Sequence, residues 1–212
     1  SQFKKERVYV TQTGYREDDF QAYIFASEDM GGTWRSLKAN LPAEPLNVIR
    51  EDPTNENILY LGSDLGIYIS LDRGVSWQSL GGDLPTNAVY DMAVQGREKE
   101  LVIGTHGRGV FILPLENIQQ LTPEVLARPV AVFAVKPVAK STSEWQPQAE
   151  AHVSYYLKEA GKLSVSLRDK AGKTVRSWNL DGGRGLNQFA WDLKVDDKSE
   201  KTVEKGDYSL IF

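Results

Sequence analysis

The sequence predicts an all-β chain: a partial β-propeller, with two blades of full-length pattern and one incomplete, followed by an immunoglobulin-like β-sandwich. Three observations predict it. An eight-residue motif recurs at a spacing of 43 residues. Short runs of alternating apolar and polar residues, bounded by turn residues, fill that spacing. The composition also changes along the chain: residues 1–128 carry 12 Lys+Arg and 18 Asp+Glu, residues 129–212 carry 13 and 11, and all nine prolines lie at or before Pro147. The expected division is therefore 1–128 and 129–212.

The repeat is explicit. Ser27-Glu28-Asp29-Met30-Gly31-Gly32-Thr33-Trp34 matches Ser70-Leu71-Asp72-Arg73-Gly74-Val75-Ser76-Trp77 as S-x-D-x-G-x-[ST]-W. The match extends to Ser36-Leu37 against Ser79-Leu80 and to Leu41-Pro42 against Leu84-Pro85. Phe25, Tyr68 and Phe111 keep the same 43-residue spacing, so a third copy persists in its strands while its turn has decayed to Leu113-Pro114-Leu115-Glu116. A period of this length with short strands falls in the range of four-stranded propeller blades.

The elements follow in order. The first blade has strands at 7–11, 22–27 and 33–37, with its innermost strand missing. The second has 47–51, 58–62, 66–70 and 76–80, and Asp52-Pro53-Thr54-Asn55 turns the first into the second. The third has 89–94, 100–105 and 109–113, with 118–121 as an outer strand or a turn of helix. Propellers close with about four to eight blades. The count here implies the C-terminal piece of a larger propeller, or completion by another chain, because an unclosed blade leaves a strand edge and an apolar face open.

Each residue of the motif has a structural task. Asp29 and Asp72 can accept turn N–H groups, Ser27 and Ser70 can bond locally, Gly31 and Gly74 supply backbone freedom, and Trp34 and Trp77 can pack over the turn. The motif resembles the Asp-box, or BNR repeat, of sialidases, xyloglucanase-type glycoside hydrolases, sortilin-type propellers and photosystem assembly factors. Residues 7–128 are similar to large secreted bacterial proteins of the BNR or sortilin-like glycosyl hydrolase kind. Val8-Tyr9-Val10-Thr11, Tyr15-Arg16-Glu17-Asp18-Asp19-Phe20 and Leu101-Val102-Ile103-Gly104-Thr105-His106-Gly107-Arg108-Gly109 carry that likeness. The resemblance implies a secreted or cell-envelope setting.

Several chemistries are excluded or disfavoured. With no cysteine there is no disulfide, thiolate metal site or cysteine nucleophile. His106 and His152 are far apart, which argues against a histidine metal site. The mildly acidic first half argues against nucleic acid. No apolar run reaches the roughly 20 residues of a membrane helix. No nucleophile elbow, phosphate loop, zinc-protease or dinucleotide fingerprint is present. No cofactor, metal or catalytic residue is assigned.

Strand alternation places the motif turns on one edge and the turns between second and third strands on the other. That other edge collects the candidate ligand residues. They are Tyr15, Arg16, Asp18, Asp19 and Phe20 in the expected long loop 12–21, Asp64 in Ser63-Asp64-Leu65, and His106 and Arg108 beside Gly107. Each also has a local reading: Asp64 as a turn cap, His106 bonded to nearby backbone, Arg108 paired with an acidic neighbour, and the loop aromatics packed locally.

Beyond the linker 114–128, with Pro123 suited to a first helical position, the alternation predicts strands at 130–135, 151–157, 162–168, 174–180, 187–193 and 206–211. Trp178 and Trp191 fall on core-facing positions. The pattern is an immunoglobulin-like sandwich without a disulfide. Leu167–Arg176, Gly185–Asp192 and Gly206-Asp207-Tyr208 resemble Ig-like modules typified by the flagellar hook-capping protein. The expected function is a non-catalytic fragment that binds a glycan or polypeptide through its propeller part, with the Ig-like part as spacer or docking module. The alternatives are a glycoside hydrolase whose active site lies mostly on missing blades, and a structural subunit of an envelope assembly.

Overall fold

The computed structural model describes residues 1–80, 86–139, 149–196 and 201–212. The chain is all-β, built of small antiparallel sheets with almost no helix. It divides into two compact units, Ser1–Thr122 and Pro123–Phe212. The short helix α1 (Pro123–Ala127) thus goes with the second unit, just after a single turn of 3-10 helix at Ile118–Gln120.

The first unit holds three sheets in chain order, each a meander of neighbours. The first is β1 (Val8–Gly14), β2 (Asp19–Ser27) and β3 (Arg35–Ser36). The second is β4 (Leu46–Glu51), β5 (Leu59–Ser63), β6 (Ile67–Ser70) and β7 (Gln78–Ser79). The third is β8 (Val89–Gln95), β9 (Glu100–Thr105) and β10 (Val110–Pro114).

Side-chain alternation stacks them. In the middle sheet Leu59 and Leu61 point back into a core shared with Ile24 and Ala26 of β2. Tyr60, Ile67 and Ile69 point forward into a core shared with Leu101 and Ile103 of β9. Both faces of β5 are therefore buried, which is why it reads as an unbroken apolar run. Gly62 makes the stacking close: a Cβ there would lie 2.7 Å from Cγ1 of both Val48 and Val89.

The outer strands expected at 33–37 and 76–80 are shorter, because the motif turn holds the first residues and pairing is left to Arg35–Ser36 and Gln78–Ser79. One further bond continues each ladder, Leu37 N–H to Ile24 O (2.9 Å) and Leu80 N–H to Ile67 O (2.8 Å). The third sheet has no such strand among the described residues. After β10 the chain turns inward instead, burying Leu115 and Ile118, while Gln119 Nε2 donates to Asp52 Oδ2 (3.0 Å). The expected parallel of Leu84-Pro85 lies outside the described residues.

The second unit holds β11 (Val130–Val132), β12 (Ala151–Leu157), β13 (Gly161–Arg168), β14 (Thr174–Gly182), β15 (Gly185–Trp191) and β16 (Ser209–Ile211). They form two three-stranded sheets, β11-β12-β15 and β14-β13-β16. Ala151 and Trp191 from the first and Leu167 and Leu210 from the second share one core, with Trp178 set edge-on to Trp191 at 6.3 Å between ring centres. The strand expected to reach residue 193 stops at Trp191, because Leu193 takes a left-handed φ of 60°. Residues 197–200, between the last two expected strands, lie outside the described residues.

Candidate functional site

The two motif turns have the same hydrogen bonds. In the first, Ser27 Oγ donates to Asp29 Oδ1 (2.7 Å) and accepts from Gly31 N–H (2.7 Å). Thr33 donates its N–H to Asp29 Oδ1 (2.8 Å) and its hydroxyl to Oδ2 (2.7 Å). In the second, Ser70 bonds Asp72 and Gly74 at 2.7 Å each, and Ser76 donates its N–H at 2.8 Å and its hydroxyl at 2.5 Å. Gly31 and Gly74 sit at φ of 91° and 78°, where a Cβ is strained. The preceding Met30 and Arg73 are also left-handed, and each donates its N–H to the neighbouring turn of its own sheet. The Thr33 hydroxyl and N–H, helped by Ser27, hold the Asp29 carboxyl at about 2. For Asp72 burial opposes ionisation and the two Ser76 bonds outweigh it, so its pKa is also lowered. Both carboxylates are thus committed to their turns.

The copies differ at the tryptophan. Trp77 is buried and donates Nε1–H to Leu37 O (2.8 Å), and its backbone exchanges two bonds with the Asn40 side chain, each 2.8 Å. Trp34 lies over Gly31 and is half exposed, and no sheet among the described residues packs on its side of the first sheet.

The opposite edge carries the candidate ligand residues on three hairpin tips. The expected long loop at 12–21 is a correction. β1 and β2 pair as far as Gly14 and Asp19, and only Tyr15–Asp18 make the turn, as 3-10 helix with Asp18 left-handed. The pairing is extended because Asp19 organises the start of β2, accepting Gln21 N–H (3.0 Å) and Tyr23 O–H (2.6 Å), which lowers its pKa. Tyr15, Arg16 and Phe20 are exposed, and Arg16 Nε donates to Tyr15 Oη (3.2 Å). At the second tip Asp64 accepts from Asn47 Nδ2 (2.9 Å) and Leu65 is exposed. At the third, His106 donates its N–H to Ala88 O (2.9 Å), and its ring meets exposed Tyr90 edge-on at 5.3 Å; Arg108 is exposed beside it. Each tip is bonded within its own sheet.

Two polar clusters were not legible in the sequence. Buried Glu44, in the connection between the first two sheets, accepts from the hydroxyls of Ser63 and Tyr68; burial and then Glu44 push the Tyr68 hydroxyl up to about 12. On the motif-turn edge, buried Arg7 binds Glu28 (2.9 Å), Glu51 (3.3 Å) and Glu56 (2.8 Å), and Tyr9 donates to Glu51 (3.0 Å). Burial opposes the Arg7 charge, and Glu56 and Glu28 outweigh it, so its pKa is raised. Only the flanking prolines of Glu44 hint at an ordered connection. Arg7 gives no local signal, because its partners are 21 to 49 residues away. A half-open pocket of about 970 Å³ in the second unit is lined in part by its core residues Ala151, Leu167 and Trp191 and in part by Phe133, Lys136 and Tyr208, and no candidate residue lines it. Among the described residues no group of three or more acidic or histidine side chains could hold a metal ion. No helix among them is long and apolar enough to cross a membrane.

No family model and no curated protein matches this chain. Among solved structures it is similar to the GH74 xyloglucanase from Xanthomonas campestris, at 17% identity and a TM-score of 0.42 over 73% of this chain and 26% of that one. The GH74 enzyme of Niastella koreensis gives 15%, 0.42, 73% and 25% for the same quantities. An ancestral GH74 enzyme gives 17%, 0.43, 83% and 26%. The chain spans about a quarter of the length of these enzymes.

Proposed function

We propose that the first unit is a run of propeller blades that binds a glycan, without catalysis, along the edge formed by its three hairpin tips. One observation carries this reading: exposed rings or apolar groups stand on successive tips, Tyr15 and Phe20, then Leu65, then Tyr90 against His106. Tyrosine offers a flat apolar face with a polar handle, which suits a sugar ring, and Arg16 and Arg108 add hydrogen-bonding groups between them. Three of the carboxylates near this edge serve their own sheets. Glu44 holds Ser63 and Tyr68, Asp64 holds Asn47, and Asp19 holds Gln21 and Tyr23. This commitment favours binding over the paired-carboxylate chemistry of a glycoside hydrolase. The second unit, with two sheets sharing one core, is read as an Ig-like spacer or docking module, and the setting as secreted or cell-envelope.

The test is affinity electrophoresis of the full chain through gels containing soluble plant and bacterial polysaccharides. Retardation by a polysaccharide is expected, with loss of at least tenfold in affinity for the double variant Y90A/H106A while its circular dichroism is unchanged. No retardation by any polysaccharide, or the same retardation for the variant, overturns the reading. Release of reducing ends during incubation would replace it with the hydrolase alternative.

A further inference from the structure

The three hairpin tips of the first unit differ in what their polar groups are bonded to. At the first, Asp18 donates its N–H to Tyr15 O (3.2 Å), and Asp19 holds Gln21 and Tyr23. At the second, Asp64 donates its N–H to Pro45 O (3.1 Å) and Leu65 donates its own to Ser63 Oγ (3.2 Å), while the Asp64 carboxylate accepts from Asn47. The third tip, at residues 105–109, is pinned at its base. Thr105 donates its N–H (3.1 Å) and its hydroxyl (2.7 Å) to Gly109 O. His106 donates its N–H to Ala88 O (2.9 Å) and accepts from Asn87 Nδ2 at its own carbonyl (2.9 Å).

Within that frame the remaining donors are unspent. Among the described residues the amides of Gly107, Arg108 and Gly109 have no acceptor, the Arg108 guanidinium has no carboxylate or other hydrogen-bond partner, and the His106 ring nitrogens have none either. Gly107 and Gly109 take φ of 83° and 82°, and Arg108 between them stays outside the left-handed region. Alternation of this kind turns successive backbone N–H groups toward one side, where they can hold an anion. No acidic residue occurs at 86–90 or 104–110, the two segments that make this tip. Asp91, the one acid of β8, is spent on Arg50 (2.6 Å).

Resting on the glycan-binding reading above, we propose that the ligand of this edge is an acidic polysaccharide, with the carboxylate of a uronic acid unit held at the third tip. The Arg108 guanidinium and the His106 imidazole are its side-chain partners, and exposed Tyr90, edge-on to His106, carries the ring of that sugar. A guanidinium presents a planar fork that matches a carboxylate through two parallel N–H···O bonds. The other tips do not compete for the acid group. Exposed Glu17 and Asp18 stand on the first beside Arg16, whose Nε is turned to Tyr15, and Asp64 stands on the second. The chain as a whole carries a formal charge of −4, so attraction for an anionic polymer comes from this tip and not from the net field.

The test is affinity electrophoresis of the full chain in gels of polygalacturonate and of alginate, each beside the same polymer after its carboxyls have been reduced to alcohols. The wild type should bind at least one acidic polymer about tenfold or more tighter than its reduced form. R108Q should lose that difference, and R108K should recover part of it, because lysine restores the charge without the fork. R97Q removes the same charge from the turn between β8 and β9, on the opposite edge, and should keep the difference intact. Equal binding of acidic and reduced polymers overturns the proposal. So does an R108Q variant that keeps the preference, or an R97Q variant that loses it. Retardation by neutral polysaccharides alone overturns it while the glycan-binding reading stands, and no retardation by any polysaccharide, acidic or neutral, overturns both.

Discussion

Trp77 and Trp34 occupy the same position in two copies of one motif, yet they carry different weight. Trp77 is buried and ties its sheet to the exit of the previous one through Leu37 and Asn40. Trp34 lies over its own turn and is 46% exposed. Truncating Trp77 to alanine removes a buried aromatic and its hydrogen bond, at a cost of about 3–5 kcal/mol. The same truncation at Trp34 should cost about 1 kcal/mol or less. Urea unfolding of the two variants, followed by tryptophan fluorescence, checks the contrast; equal losses would mean that the motif acts locally in both copies. The sequence makes the two residues identical in role. Only the neighbour on the far side of each sheet separates them, and that neighbour is specified 37 to 40 residues away along the chain.

The motif turn is the element in which chain chemistry and fold agree most closely. Ser27, Asp29, Gly31 and Thr33 satisfy one another within a few residues, so the motif spacing foresaw that Asp29 accepts turn N–H groups and that Ser27 bonds locally, while the Thr33 hydroxyl bond to Asp29 came from the structure. The turn also makes a pH signature. Asp29 at about 2 and Asp72, also lowered, both lie below the value of about 3.9 for an unfolded aspartate. Groups depressed on folding stabilise the fold fully above their unfolded pKa and lose that contribution as pH falls through the folded one. Glu28 and Glu56 are lowered in the same sense, Glu28 by Lys4 and then Arg7, Glu56 by Arg7. Thermal stability should therefore fall between about pH 4 and about pH 2. The double variant D29N/D72N should show a lower melting temperature at neutral pH and a shallower fall in that window, as followed by circular dichroism. A fall as steep as the wild type's would mean the turn carboxylates are not its source. The hairpin at 12–21 was less legible than the motif. Its polar residues suggested an open loop, but Asp19 spends its carboxylate on Gln21 and Tyr23 and lets the ladder run on to the tip.

At the scale of the whole molecule, the repeat packs the forward face of one sheet on the backward face of the next, between the first and second sheets and again between the second and third. The same stacking aligns the tips that bear Tyr15, Leu65 and Tyr90 on one edge. The sequence by itself determined the all-β character, the positions of nearly every strand, the 43-residue period and the residues of the turn clamp. Those follow from interactions within a few residues: alternation, turn chemistry and short side-chain-to-backbone bonds. Tertiary structure alone decided that Arg7 gathers three glutamates, that Glu44 is buried on Ser63 and Tyr68, and that Trp77 is core while Trp34 is not. Those outcomes depend on which sheet lies against which, and packing between distant segments leaves no local mark in the chain.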